Sequence, residues 1–507
     1  MQRDVSRLED RRFDVVVVGG GVFGACIAWD AALRGLDTAL VEQEDFGHAT
    51  SANSFKMVHG GIRYLQHGDL PRIRESSRER RALLRIAPHL VEPLPILIPT
   101  YGHGLEGKEL LAAGMWVYDL LTLDRNRGIE DPDRKIPPGR AVGRDRVLEL
   151  FPDLPADGLT GGALFHDAQM YNPTRLVLAF VKGAADRGAV IANYVRVEEY
   201  VRDGDRVVGV RTRDRLADTE ITVRGRVVVN ATGPWAPNLL PPAAGQIGAT
   251  FSRDACFVVP RRLTGSIGLA VLGRTRDSDA LLSRPARHLF LVPWRDSTLV
   301  GVWHVVHEGD ADSFEVRREE LQSFVDEVNG AYPAAGLSVD EISIANAGLI
   351  LFGDEQSDAD NFSFGKRSRV IDHAERDGVE GLLTVIGVRY TTARGVAEEA
   401  LDTLVPRIGA GDARGATETT PLPGGRITSV EQFVEDRVTR FAGILDETAV
   451  RRLVRNYGSE IDDVIRYDPA CAPLADSSCL AAEVLHAVRE EMACTLSDVV
   501  FRRTDLG

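Results

Sequence analysis

Apolar positions near the start of the chain change period abruptly. Residues 14–18, DVVVV, form a β-branched run of the kind that a strand covered on both faces shows. A glycine turn follows, then helical spacing to Arg34, then a second apolar run ending at Glu42, so the order predicts a β-α-β unit. Residues 70–86, LPRIRESSRERRALLRI, read as a helix carrying six arginines. Proline and charge around 131–139 read as surface loop. The stretch from Thr174 to Asp214 predicts a helix and then a hairpin turning at Asp203-Gly204-Asp205, and RVVVNATGPWAP supplies a further strand. Residues 253–350 read mostly as strands, among them HLFLVPWRDSTLVGVWHVV, which turns at Arg295-Asp296-Ser297. LLTVIGVRYTTARGVAEEALDTL predicts a strand followed by a helix ending near Leu404. A Gly- and Thr-rich linker over 409–425 leads to a helical tail. The chain shows no internal repeat.

The glycine turn is the first chemical signal. In Gly19-x-Gly21-x-x-Gly24, Gly19 permits the tight turn, Gly21 lets a pyrophosphate approach the backbone, and Gly24 lets helix and strand pack closely. The helix then offers free N–H groups and the positive end of its dipole to phosphates. Glu42 ends the second strand where a carboxylate can accept from a ribose hydroxyl. With strand, helix and acid in register, the pattern points to a dinucleotide. The strand ending at Gly233 and the helix start at Thr391 and Thr392 are two more segments able to approach it. Three distant segments on one cofactor suit FAD, held along its length, better than a dissociable nicotinamide.

Composition narrows the setting. The chain has 507 residues, enough for two or three domains, with 44% apolar and 27% charged residues, as in ordinary soluble globular proteins. A formal charge of −15 argues against a nucleic-acid partner. No apolar run approaches the roughly 20 residues that span a bilayer. The charged leader MQRDVSRLEDRR lacks the apolar core of a signal peptide. Five scattered cysteines form neither a disulfide framework nor a zinc pattern, so no metal is expected and a reducing cytoplasm fits best.

The stretch KMVHGGIRYL sets Lys56, His59, Arg63 and Tyr64 around two glycines. Such a cluster is either a solvated turn with a basic rim or the floor of a site for an anion. Here the sequence resembles the flavin-dependent glycerol-3-phosphate dehydrogenase/oxidase family over nearly its whole length. The resemblance rests on VVGGGVFGACIAWDAALRGLDTALVEQEDF, TSANSFKMVHGGIRYLQHGD, VVNATGPWA, GVRYTTARGVAEEALD and the tail HAVREEMACTLSDVVFRRT. It implies an α/β fold: a Rossmann-like FAD domain of the glutathione reductase/D-amino acid oxidase type, an antiparallel β substrate domain and a helical C-terminal domain. The expected segments are 1–90, 160–248 and 360–412 for the FAD domain, 91–159 and 249–359 for the substrate domain, and 420–507 for the helical domain. It also implies hydride transfer from the C2 carbon of a phosphorylated polyol to flavin, with quinone or oxygen as acceptor. Carried over by position, Thr50, Ser51 and Ser54 would contact the flavin's phosphates and ring edge. Lys56 and His59 would lie near the isoalloxazine, and Arg63 and Tyr64 would hold the substrate phosphate.

The chain departs from that pattern at three places. Arg389 stands where a lysine is expected, which keeps charge but changes reach. Val302-Trp303-His304 replaces a TTD strand, so Trp303 and His304 are either substrate contacts or a core tryptophan and a surface histidine. Ile350 stands where the family has a substrate-facing arginine, while Arg367 matches another phosphate-contacting arginine. A base must take the hydroxyl proton: His59 is the first candidate and His304 the second. Two other functions stay open, a flavoenzyme for a hydroxy acid, amine or specialised metabolite, and a flavin protein without turnover. A homodimer and a peripheral contact with the inner membrane face also stay open. The arginine-rich helix could lie on an anionic leaflet, or it could face solvent or a partner, with Glu75 and Glu79 pairing locally with its arginines.

Overall fold

The computed structural model describes residues 1–103, 108–245, 247, 250–276, 286–307, 309–351, 367–409, 414–474 and 477–507. Two sheets organise it. In the first, strands Leu382–Ile386, Thr219–Asn230, Arg12–Val18, Thr38–Val41 and Val190–Ala192 run parallel in that spatial order. Arg369–Asp372 adds antiparallel at one edge. The hairpin Val195–Asp203/Arg206–Asp214 continues from the long Thr219–Asn230 strand and turns where the sequence indicates. Val15, Val16 and Val17 are wholly buried, because side chains on both faces of the central strand are covered. The helix Val22–Leu33 packs there against Pro173–Asp186 and Ala393–Ile408, with Trp29 edge-on to Phe180 at 5.3 Å.

Among the described residues, the second sheet has nine strands and is antiparallel at every junction but one, between Gly268–Arg276 and Val91–Tyr101. Its Leu159–Met170 and Met57–Val58 strands come from stretches that the sequence reading groups with the cofactor segments. Two of the longer helices went unread in the sequence. Lys108–Leu121 lies in the supposed connecting stretch, and Arg318–Ala331 lies in the supposed strand region. The second buries only Phe324, Val325 and Val328, so its apolar stripe is too narrow to stand out.

The arginine-rich helix spans Leu70–Ile86 as expected, with Asp69 capping its N-terminus. Its charges are used differently from the local pairing expected. Glu79 is 1% exposed and takes a bidentate contact from Arg394 at 2.7 and 2.6 Å, and Glu75 accepts from Arg389 at 2.7 Å. Arg80 is buried against Asp167 at 2.9 Å, while Arg74 and Arg81 pair with Asp124. The partners that decide these pairings lie from 43 to 315 residues away in sequence.

The C-terminal helices Val430–Arg440, Glu447–Tyr457, Ile461–Ile465 and Ala481–Glu490 enclose their own core around Val450, Leu453 and Ile461. Buried ions fasten this unit to the first sheet. Asp45 accepts from Arg502 at 2.7 Å and from Arg503 at 2.6 and 2.8 Å, and Arg175 meets Glu491 at 2.7 Å. Among the described residues, no helix is long and apolar enough to cross a membrane.

Candidate active site

The glycine turn is as constrained as its spacing suggests. A Cβ on Gly24 would stand 1.8 Å from the Gly19 carbonyl oxygen, and Gly19 itself has φ +104°. Gly21 sits in extended conformation at the N-cap of Val22–Leu33 without a side-chain cap, which leaves the helix end open to a ligand. The first helical N–H, of Val22, donates to Ser51 Oγ at 3.0 Å. Glu42 accepts from the Gly20 N–H at 2.6 Å and from the Glu44 N–H at 2.9 Å, and burial pushes its carboxyl above the usual range. These groups open onto a cleft of about 510 Å³ that also takes in Thr50 and Gly233, the latter at φ +60°.

Thr50 and Ser51 also line a second cleft of about 340 Å³, so the two run on from one another. One wall carries Lys56, His59, Arg63 and Arg389, with Ser54 and Thr391 nearby. The second sheet lines the same cleft with Asp254, Cys256, Phe290, His304 and Ile350. A groove that starts at a helix N-terminus and ends between the sheets fits an extended dinucleotide with a reactive ring at its far end. Thr50, Ser51, Glu42 and the Gly21 backbone would hold its phosphate and ribose half. Thr391, whose Oγ1 accepts from the His59 N–H at 3.3 Å, would meet the ring near the start of Ala393–Ile408. Thr392 is fully buried, and its Oγ1 donates to the Arg389 carbonyl at 3.2 Å.

The basic cluster is held from behind. Burial, then Arg389, Arg80 and Arg63, push His59 down to about 3, so its imidazole is neutral at physiological pH. Lys56 has φ +59° and is 4% exposed; its Nζ lies 4.6 Å from the Trp294 ring centroid. Burial and Arg295 lower its pKa. Burial also pushes the Cys256 thiol up to about 11.

Gly60 is closely packed by the protein itself. A Cβ there would stand 2.2 Å from the Tyr118 hydroxyl and 2.3 Å from Arg80 Nη1. The space beside Gly60 is therefore filled by the protein's own guanidinium. Gly60 N–H also donates to Asp167 at 2.6 Å, which locks the turn to Arg80.

A profile described as FAD dependent oxidoreductase matches residues 14–402, and one described as C-terminal domain of alpha-glycerophosphate oxidase matches residues 415–507. The chain belongs to this FAD-dependent family. Glycerol-3-phosphate dehydrogenase 2 of Mycobacterium tuberculosis is 34% identical over 509 residues, covering 98% of this chain and 81% of that one. Glycerol-3-phosphate dehydrogenase of Synechocystis sp. is 29% identical over 524 residues, covering 100% and 91%. The solved glycerol-3-phosphate dehydrogenase from Bacillus halodurans, complexed with FAD, matches with a TM-score of 0.74 at 25% identity over 99% of this chain and 87% of its own.

Within this flavoenzyme, most sequence-selected residues come together, and some do not. Ile350 faces the second cleft from the Ile344–Leu351 strand. Tyr64 sits behind the cleft wall, its ring 5.9 Å from that of His59, with the Arg72 and Arg389 guanidinium carbons 4.8 and 5.4 Å from its centroid. Arg367 has a side chain 68% exposed and lies 3.9 Å from Asp69, outside the residues lining either cleft. The two readings of Val302-Trp303-His304 divide. Trp303 packs into the second core with its ring 4.4 Å from Phe324, while His304 points into the cleft. Asp254 escaped the sequence reading. Its one signal there is a charge within the apolar run FSRDACFVV.

Proposed function

We propose that this flavoenzyme oxidises the secondary alcohol of a small phosphorylated polyol, with glycerol 3-phosphate as the first candidate and quinone or oxygen as the electron acceptor. The observation that carries the reading is the cationic wall of Lys56, Arg63 and Arg389 beside neutral His59, on a cleft continuous with the dinucleotide groove. Arg63 and Arg389 would hold a phosphate or other anion through charge-assisted hydrogen bonds. Lys56, beneath the reacting region, would favour negative charge that develops there. When bound, FAD supplies the two-electron acceptor for the hydride. The relatives' names, glycerol-3-phosphate dehydrogenase and alpha-glycerophosphate oxidase, support the same substrate class.

Ile350 favours a second reading, a flavoenzyme for a less anionic alcohol, hydroxy acid or amine, because the cleft there offers apolar surface instead of a guanidinium. Anaerobic mixing of the FAD-loaded protein with a panel of such substrates decides between them. Bleaching of the flavin absorbance by glycerol 3-phosphate supports the first reading, and bleaching only by other members supports the second. No bleaching by any member would leave a flavin protein without turnover.

A further inference from the structure

Resting on the alcohol-oxidation reading, we propose that His304, positioned by Asp254, is the base that takes the substrate's hydroxyl proton. The two residues are direct cross-strand partners, on Ser297–His307 and Phe251–Val259. His304 Nδ1 lies 2.6 Å from Asp254 Oδ1, and the Ser252 hydroxyl donates to that same oxygen at 2.6 Å. A carboxylate accepts only, so Nδ1 carries the hydrogen and Nε2 is left as the acceptor. Among the described residues, Nε2 has no hydrogen-bond partner. Both side chains line the second cleft.

His59 cannot supply this base as readily. His59 is ringed by Arg389, Arg80 and Arg63, and each opposes a positive charge on its imidazole. His304 has a carboxylate at the far side of its ring, the arrangement that stabilises an imidazolium as it forms. Gly348, opposite Asp254 on its other flank, packs against Thr50, a Cβ there being 2.8 Å from Thr50 Cγ2. The pair is thereby set beside the cofactor loop. The other ionisable groups lining this cleft are Lys56, His59, Arg63, Arg389, Tyr390, His288 and Cys256. In the step, the substrate O–H bond breaks and an N–H bond forms at Nε2. The C–H pair departs as hydride, two electrons passing to the family's flavin, and a C=O bond remains. His59, neutral, is free to donate to the substrate.

The test uses the FAD-loaded protein and the substrate that bleaches it in the panel. His304→Gln should retain FAD and its melting temperature while the anaerobic reduction rate falls by about 10²–10⁴-fold, the usual contribution of a general base. In His304→Ala, added imidazole should restore part of the rate, which a structural role would not allow. Asp254→Asn should slow reduction by about tenfold or more, because the imidazolium that forms loses its carboxylate partner. Independently of turnover, ¹⁵N-histidine NMR of the resting protein should show His304 as the Nδ1–H tautomer, a state lost in Asp254→Asn. Reduction of His304→Gln at the wild-type rate, reduction of Asp254→Asn at the wild-type rate, or an Nε2–H tautomer in the wild type would each overturn the proposal. A wild-type protein that no alcohol reduces refutes the underlying alcohol-oxidation reading instead, and the NMR result still judges the pair.

Discussion

At the scale of single residues, the cleft combines basic and apolar side chains. Arg63, Arg389 and the apolar Ile350 all line it. A missing charge-assisted contact of roughly 2–3 kcal/mol corresponds to about 30- to 150-fold in affinity. Wild-type protein should therefore bind glycerol 3-phosphate weakly, and Ile350→Arg should raise kcat/KM for it, measured by steady-state assay with a common dye acceptor. Efficient wild-type turnover that falls on adding the arginine would show that Ile350 does not stand in for a phosphate ligand. His59→Gln gives a second prediction. Its neighbours hold the imidazole neutral, and glutamine keeps a donor, so FAD content should be unchanged and reduction should slow by about tenfold or less. A loss as large as that of His304→Gln, read in the same stopped-flow experiment, would move the base to His59.

Elements explain why the site is rigid. The glycine turn joins a strand and a helix so closely that Gly24 touches the Gly19 carbonyl, and backbone cannot yield as a flexible side chain can. Gly24→Ala should therefore abolish FAD retention, read as loss of the flavin absorbance after gel filtration. An alanine variant that stays yellow would mean that the turn tolerates a shift of more than an ångström. The Leu70–Ile86 helix acts as a brace: Glu75 holds Arg389, Glu79 holds Arg394, and Arg80 fills the space beside Gly60. These pairings leave few of its charges for an anionic membrane surface. Their partners were hidden from the sequence because charges adjacent on a helix suggest local pairs, whereas burial selects distant ones.

Across the whole molecule, the C-terminal helices are clamped to the cofactor half by buried charges and by a histidine. His89 is 3% exposed with Nδ1 unpartnered, and burial, then Arg175 and Arg134, push it down to about 3. Its folded pKa thus lies below its unfolded value of about 6.5. The associated stability is complete above 6.5 and drains away as pH falls toward 3. At pH 5 the loss from this residue amounts to about 2 kcal/mol. Apparent melting temperature should therefore drop between pH 7 and pH 5, and His89→Gln, although less stable at pH 7, should show a smaller drop. Equal drops in the two proteins would assign the acid sensitivity elsewhere.

Periodicity and spacing alone determined the β-α-β unit, the glycine turn, the Leu70–Ile86 helix and the two hairpin turns, because each depends on neighbours within a few residues. The same local logic brought Lys56, His59 and Arg63 into view as one cluster. Pairings between strands far apart in sequence decided the rest. Register across Phe251–Val259 set Asp254 against His304, turned Trp303 into the core and brought Ile350 to the cleft. Arg80 took the space beside Gly60, and Arg367 came to lie away from both clefts. No single segment encodes such facts, since a side chain's partner follows from which strand lies beside it, and that is fixed only when both sheets close around their cores.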